Sequence, residues 1–368
     1  MNRSGRTLLN TLGRTVLSLV LLVLLAYLFR TRLGQAFRAV SQAQVWWLVI
    51  AIGWFVVFII VSAWRWQVLL GAAGLRFSTW YLSKVFTLGL FFCKLLPTSI
   101  GGDVFRIAYT ARKDKGMEAF SATFLDRLIG FLSLTFLAVL VALALFATRA
   151  QTRTLEITVA GRGFRGFGIV GLLLATLAGL LLLTLLLFND RAQQWTSRLL
   201  SHWPLGIGRL LDKAYAAVKQ FRTKHWALAT SFVSGIGVQA ALSLCWFCVA
   251  RSIGGTVPLV YYFILIPLLN IVVNLPTIGG LGVREWAFVL FFTPDWLTGH
   301  LTQEQALATA LLFLILDLGF ALLGGVLFAV LRRGGSAEAA SASVTQWSGD
   351  PVSKGGMKCW SVDQTLKA

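Results

Sequence analysis

Seven ionisable residues sit in or against long apolar runs of this chain. They are Asp103 and Arg106 in PTSIGGDVFR, Asp126 and Arg127 in ATFLDRLIGF, Arg284 and Glu285 in PTIGGLGVRE, and Asp317 in LLFLILDLGF. If those runs cross a bilayer, each charge near its centre costs about 2.5–3.5 kcal/mol on insertion scales, and a chain that keeps several is expected to use them. The chemistry on offer is anion recognition. Three arginines, Arg106, Arg127 and Arg284, suit a phosphate, which guanidinium groups grip with paired hydrogen bonds. Asp103, Asp126 and Glu285 would orient those arginines or carry protons. The same residues also read as structural ion pairs, Asp103–Arg106 and Asp126–Arg127, holding the segments together. Asp317 is then either protonated or turned toward Arg127. No nucleophile or metal-ligand set clusters with these carboxylates, so no catalytic residue, metal or cofactor is assigned.

Such side chains need a scaffold that brings them to the same depth. Two similar motifs provide one: PTSIGG begins at Pro97 and PTIGG at Pro276, each directly after an apolar run. Proline removes a backbone donor and glycine permits tight turns, so Pro97, Gly101, Gly102, Pro276, Gly279, Gly280 and Gly282 predict two chain reversals inside the membrane. Irregular backbone survives there only when covered by protein or lining a wet cavity. Helices restarting near Val104 and Val283 would point their N-termini, rich in unpaired N–H groups, into that cavity, where anions are favoured.

The composition is that of a membrane protein. Of 368 residues, 57% are hydrophobic and 13% charged, against about 25% charged in soluble domains. Mean hydropathy is +0.77. Apolar runs near Thr15–Phe29, Val45–Leu69, Phe120–Ala147, Phe167–Phe188, Trp226–Ala250 and Ala306–Leu331 predict six full spans. Trp80–Leu96 and Val257–Leu275, which end in the two motifs, predict re-entrant hairpins. The basic start and apolar core of residues 1–30 fit a retained first helix better than a cleaved leader, because no small-x-small site precedes Arg30.

Lys and Arg mark the cytoplasmic side. Arg191, Arg198, Arg209, Lys213, Lys219, Arg222 and Lys224 face only Asp190 and Asp212 within residues 189–225. Arg3, Arg6 and Arg14 lie at the start, and Arg332 and Arg333 follow the last span. All three regions fall inside only if each motif run turns back. The expectation is an all-α polytopic fold of eight hydrophobic segments, six spans and two hairpins. It forms an inverted repeat: residues 1–163, then 164–333 with the basic loop 189–225, then a disordered cytoplasmic tail, 334–368. Binding sites in such repeats lie near the midplane where helices break.

The net charge of +19 belongs to loops meeting anionic headgroups rather than to a nucleic-acid surface. Cys245 and Cys248 resemble half a zinc site with no second half and read as buried thiols. His202, His225 and His300 make no metal spacing. Trp46, Trp47, Trp64, Trp66 and Trp80 are expected as interface anchors. The stretch Trp195–Lys219 is expected as a basic amphipathic helix on the inner leaflet.

The segments LLPTSIGGDVFRIAYTAR, ATFLDRLIGF and NLPTIGGLGVREWAFVL resemble the flippase-like membrane region of lysylphosphatidylglycerol synthases, which also occurs as a stand-alone membrane protein. The resemblance covers about Thr15 to Leu331. It implies an eight-segment fold with a lipid-facing cavity and transfer of lipids or lipid-linked intermediates between leaflets. By motif it points to Pro97, Gly102, Asp103 and Arg106, to Asp126 and Arg127, and to Pro276, Gly279, Gly280, Gly282, Arg284 and Glu285. The chain departs from the family pattern in two places. Gly130 stands where a second acid often follows the acid–Arg pair, and Asp317 is the only charge in the last span. Nothing here has the size of the aminoacyl-transfer domain of the full synthases.

The expected function is translocation of an anionic phospholipid, or of a polyprenyl-phosphate type intermediate, across the plasma (inner) membrane, with both termini cytoplasmic. The partner is that lipid, with a separately encoded lipid or glycosyl transferase as a further candidate and no nucleic acid. The alternatives are an integral membrane enzyme using Asp103 or Glu285 as acid/base, and a scaffold subunit for such a transferase.

Overall fold

A computed structural model describes residues 40–95, 101–111, 115–147, 157–159, 162–164, 166–189, 215–273, 282–294, 297 and 299–333. The expected first span (Thr15–Phe29), Pro97, Pro276, Gly279, Gly280, most of the basic loop and the 334–368 tail lie outside the described residues.

Apolar runs become helices because lipid offers no partner for backbone N–H and C=O groups, so each segment must satisfy its own. In chain order these are α1 (Val45–Ala72), α2 (Thr79–Leu95), α3 (Gly101–Thr110), α4 (Gly116–Ala147), α5 (Gly166–Phe188), α6 (His225–Ser252), α7 (Leu259–Val273), α8 (Val283–Phe292) and α9 (Gln303–Arg333). The helix α1, most of α4, α6 and most of α9 are each long and apolar enough to cross a membrane. Between α4 and α5 lie the only strands among the described residues, a short antiparallel ribbon of β1 (Ile157–Val159) and β2 (Arg162–Phe164). Five of the six expected spans are therefore helices within a few residues of their expected bounds.

The two motif runs also behave alike. Each long helix is followed by a ten-residue helix packed antiparallel against it. In the first pair Phe92 stacks on Phe105, and the Tyr81 hydroxyl donates to the Tyr109 carbonyl at 2.9 Å. Gly102 lies so close to α2 that a Cβ there would strike the Gly89 carbonyl oxygen and the Cys93 Sγ. In the second pair Tyr262, near the start of α7, meets Phe292 at the end of α8 with ring centroids 4.8 Å apart.

Helix bounds repeat along the chain. The helices α1 and α6 both have 28 residues, α3 and α8 both have 10, and α4 and α9 have 32 and 31. Both α1 and α6 end on a glycine at φ +81°, Gly74 and Gly254. In each, the following N–H bonds back over the helix end, Leu75 to the Leu70 carbonyl and Gly255 to the Ala250 carbonyl, which satisfies carbonyls that the last turn leaves unpaired. Side by side, α1 and α6 run antiparallel: Gln44 N–H bonds to the Ser252 carbonyl at 2.7 Å, while Arg65 lies beside Gly235. Packing crosses between the two series. The first long hairpin helix, α2, packs on α9, and the second, α7, packs on α4.

Two apolar clusters fill the interior. One gathers the start of α1, the end of α6, α7, α8 and α9 around Trp246, Tyr262 and Phe288. The other joins the end of α1 to the starts of α2 and α4, with Tyr215, Val218 and Phe221 docked against it. The described part of the expected amphipathic helix, residues 215–219, thus packs on protein. Trp46, Trp80 and Trp226 are largely exposed near helix ends, as anchors should be, but Trp66 is fully buried. Its indole serves the site described next.

Candidate functional site

The first ion cluster joins three helices. Asp103 lies in the first turn of α3 and Arg106 one turn later, while α4 supplies Asp126 and Arg127, and α1 supplies Arg65. The Arg65 Nε donates to one Asp126 oxygen at 2.8 Å, and an Arg106 terminal nitrogen donates to the other at 3.0 Å. A second Arg106 nitrogen reaches Asp103 at 3.2 Å. Arg127 grips Asp103 with two nitrogens, at 2.7 and 3.0 Å. Arg65–Asp126–Arg106–Asp103–Arg127 is thus one unbroken chain of alternating charge.

Arg106 is sealed within it. Its guanidinium lies 4.2 Å from the Trp66 ring centroid and 5.1 Å from that of Phe86, which offsets part of its lost hydration. Only Arg127 opens outward: its side chain is 43% exposed, against 5% for Arg106 and 9% for Arg65. Three guanidiniums against two carboxylates leave one positive charge in surplus, and Arg127 carries the open edge.

Asp126 and Arg127 do not pair with each other, contrary to one sequence expectation. Neighbours on a helix point about 100° apart, so Asp126 turns to α1 and Arg127 to α3. The expected Asp103–Arg106 pair is made, at 3.2 Å, though Arg127 approaches Asp103 more closely. Gly130, where the family pattern often has a second acid, faces the Arg65 guanidinium: a Cβ there would lie 3.3 Å from one of its nitrogens.

The second cluster lies on the other side of α2. Asp317 of α9 accepts from Lys94 Nζ at 2.7 Å and from an Arg284 nitrogen, so it is neither alone nor turned toward Arg127. Lys94 ends the long helix of the first hairpin, and Arg284 begins the short helix of the second. One carboxylate therefore ties both hairpins to α9. Glu285 makes no ion pair among the described residues. One of its oxygens accepts the Gly282 N–H at 2.7 Å, and the other is buried without a hydrogen-bond partner. The N-terminus of α8 is consequently occupied by its own carboxylate. Gly282, at φ +82°, makes that turn possible.

The two short helices match by position more than by motif. Asp103 and Glu285 are each the third residue of a ten-residue helix, but Arg284 is the second and Arg106 the sixth. At the sixth position α8 carries Phe288, stacked on Trp246 with centroids 4.6 Å apart. Trp66 and Trp246 occupy the same place in α1 and α6, counted from each start. One series thus puts an arginine against its tryptophan, and the other a phenylalanine.

Asp103, Arg106, Asp126 and Arg127 are brought together as expected, and Arg284 joins a separate cluster with Glu285 beside it. Gly101 and Gly102 open α3 as buried helical residues rather than forming a loop. Sequence reasoning missed Arg65 and Lys94. Both lie in apolar runs, so the cost argument that singled out Asp126 and Asp317 applies to them equally. Among the described residues no group of three His, Cys, Asp or Glu side chains could hold a metal ion, and Cys245 and Cys248 are buried on α6.

Comparison with protein families finds a match to the model described as the lysylphosphatidylglycerol synthase TM region, over residues 13–325. No curated protein and no solved structure matches the chain.

Proposed function

The chain belongs to the lysylphosphatidylglycerol synthase transmembrane-region family, and from that premise we propose that it moves an anionic lipid headgroup between leaflets. The substrate is a phospholipid or a polyprenyl-phosphate-linked intermediate. The supporting observation is Arg127, a half-exposed guanidinium at the open end of an otherwise sealed ion chain with one positive charge in surplus. A phosphate would meet Arg127 first. Asp103 aims it, held in turn by Arg106, which Asp126 and Arg65 fix behind it. Arg284 and Lys94 become available as Asp317 yields them, and tails stay in lipid throughout.

The same reading takes residues 1–163 and 164–333 as an inverted repeat. Equal helix lengths and antiparallel α1 and α6 are what a two-fold axis in the membrane plane would produce. At about 1.5 Å per residue the ten-residue α3 and α8 reach roughly 15 Å, half of a 30 Å hydrocarbon core. Each returns to the side from which α2 or α7 entered, so the hairpins dip in from opposite faces. Arg76, Lys84, Lys115, Lys219, Arg222 and Lys224 gather at the end where α2 starts and α6 starts, with Glu118 as the single acid among the described residues of these segments. The positive-inside tendency makes that end cytoplasmic, in the plasma membrane, with both termini there. A separately encoded transferase would supply or consume the lipid.

Reconstitution tests the reading. Purified protein in vesicles should transfer a fluorescent anionic lipid between leaflets, and Arg127→Gln should lose that activity while still folding. A wild-type protein that leaves the lipid's sidedness unchanged sinks the proposal, and covalent change of the lipid would mark an enzyme instead.

A further inference from the structure

Away from the ion chain, α4, α5 and α6 leave a groove of about 300 Å³ near the basic end of the molecule. Its walls include Leu128 and Leu132 of α4, Phe188 of α5, and Leu228, Ala229 and Phe232 of α6. The one polar side chain in the wall, Thr184, donates its hydroxyl to the Leu180 carbonyl at 2.7 Å, so the groove offers hydrocarbon alone. On its flank Leu181, Leu182 and Leu185 of α5 are exposed, which places the opening on the lipid side.

The rim is basic. Lys224 precedes α6, and its carbonyl accepts the Leu228 N–H at 3.2 Å, so Lys224 stands one turn beyond the groove wall. Residues 215–229 carry Lys219, Arg222 and Lys224 and no Asp or Glu. Neither Lys219 nor Lys224 makes an ion pair among the described residues, and both are exposed. Trp226, 83% exposed beside them, is the residue type that settles at headgroup depth.

We propose that this groove is a binding site for an anionic phospholipid of the adjoining leaflet, one acyl chain lying along Leu128, Ala229 and Phe232 and the phosphate held by Lys224 and Lys219. Charge complementarity selects the occupant, because a zwitterionic lipid would fill the same groove without gaining from the lysines. The site is separate from the headgroup path. Arg127 turns to Asp103 of α3, whereas the groove lies on the α4 face toward α5 and α6. It requires membrane insertion and is independent of transport.

Native mass spectrometry of the full chain, in micelles doped with equimolar phosphatidylglycerol and phosphatidylcholine of identical acyl chains, tests it. Phosphatidylglycerol should be retained in excess, about fivefold for each lysine engaged. Lys219→Gln with Lys224→Gln should bring the two lipids to parity while lipid is still retained. Ala229→Phe, which fills the groove, should abolish retention of both. Thr184→Phe closes the same space from α5 and serves where Ala229→Phe fails to fold. Equal retention of both lipids by the wild type overturns the proposal. So do wild-type retention in both groove-filled variants, and a dimer that those variants dissolve, which would make the groove a contact between copies.

Discussion

Each embedded aspartate, Asp103, Asp126 and Asp317, is held by two cationic side chains. That arrangement separates residues that hold the fold from the one that faces outward. Arg65→Leu leaves Asp126 with Arg106 alone in a buried site, a kind of loss that costs about 3–5 kcal/mol. Its melting temperature in detergent should therefore fall below that of Arg127→Gln, which also takes a partner from a buried carboxylate, Asp103, but from a side chain that is itself nearly half exposed, and is expected to lose about 1–3 kcal/mol. Around Asp317 the order is set by what is left behind. Asp317→Leu strands two buried cations, whereas Lys94→Met leaves the Arg284–Asp317 pair intact. Thermal melts should rank Asp317→Leu as the more damaging, and the reverse order would remove Asp317 from its place as the shared anchor.

At the scale of elements, the first hairpin depends on close approach of α3 to α2. With a Cβ at Gly102 directed at the Gly89 carbonyl and Cys93, Gly102→Val should cost about 1–3 kcal/mol or more, since overpacked sites are rarely relieved. By contrast Gly53, in the exposed interior of α1, has nothing within 4 Å of a would-be Cβ. Gly53→Ala should stabilise by about 0.4–1 kcal/mol, because the unfolded chain loses freedom while the helix accepts the methyl group. Chemical denaturation in micelles separates these two directions. A short helix follows each Pro/Gly motif, yet the slip of Arg284 relative to Arg106 came from where each short helix begins. Gly101 is already helical in α3, whereas α8 starts only after Gly282.

For the whole molecule, packing crosses between the two halves, α2 on α9 and α7 on α4. Rigid rocking of one half against the other would have to break both interfaces. Orientation is open to direct measurement. In a background without the native cysteines, Gln303→Cys, at the start of α9, should react with a membrane-impermeant thiol reagent in intact cells. Thr223→Cys, before α6, should react only after lysis. The opposite pattern would invert the molecule and place the groove and its lysines in the other leaflet.

Hydropathy and the two Pro/Gly motifs sufficed to read a helical membrane protein, its described apolar helices within a few residues, and the membrane-embedded charges Asp103, Arg106, Asp126 and Arg127. Those features are written locally, because burial in lipid forces helix on any apolar run and a charge inside one is conspicuous whatever surrounds it. Pairing is different in kind. Which guanidinium meets which carboxylate depends on how α1, α3, α4 and α9 are rotated and how closely they pack. Only the tertiary structure could turn Arg127 away from Asp126, recruit Arg65 and Lys94, and bury Arg106 against Trp66 while leaving Arg127 open.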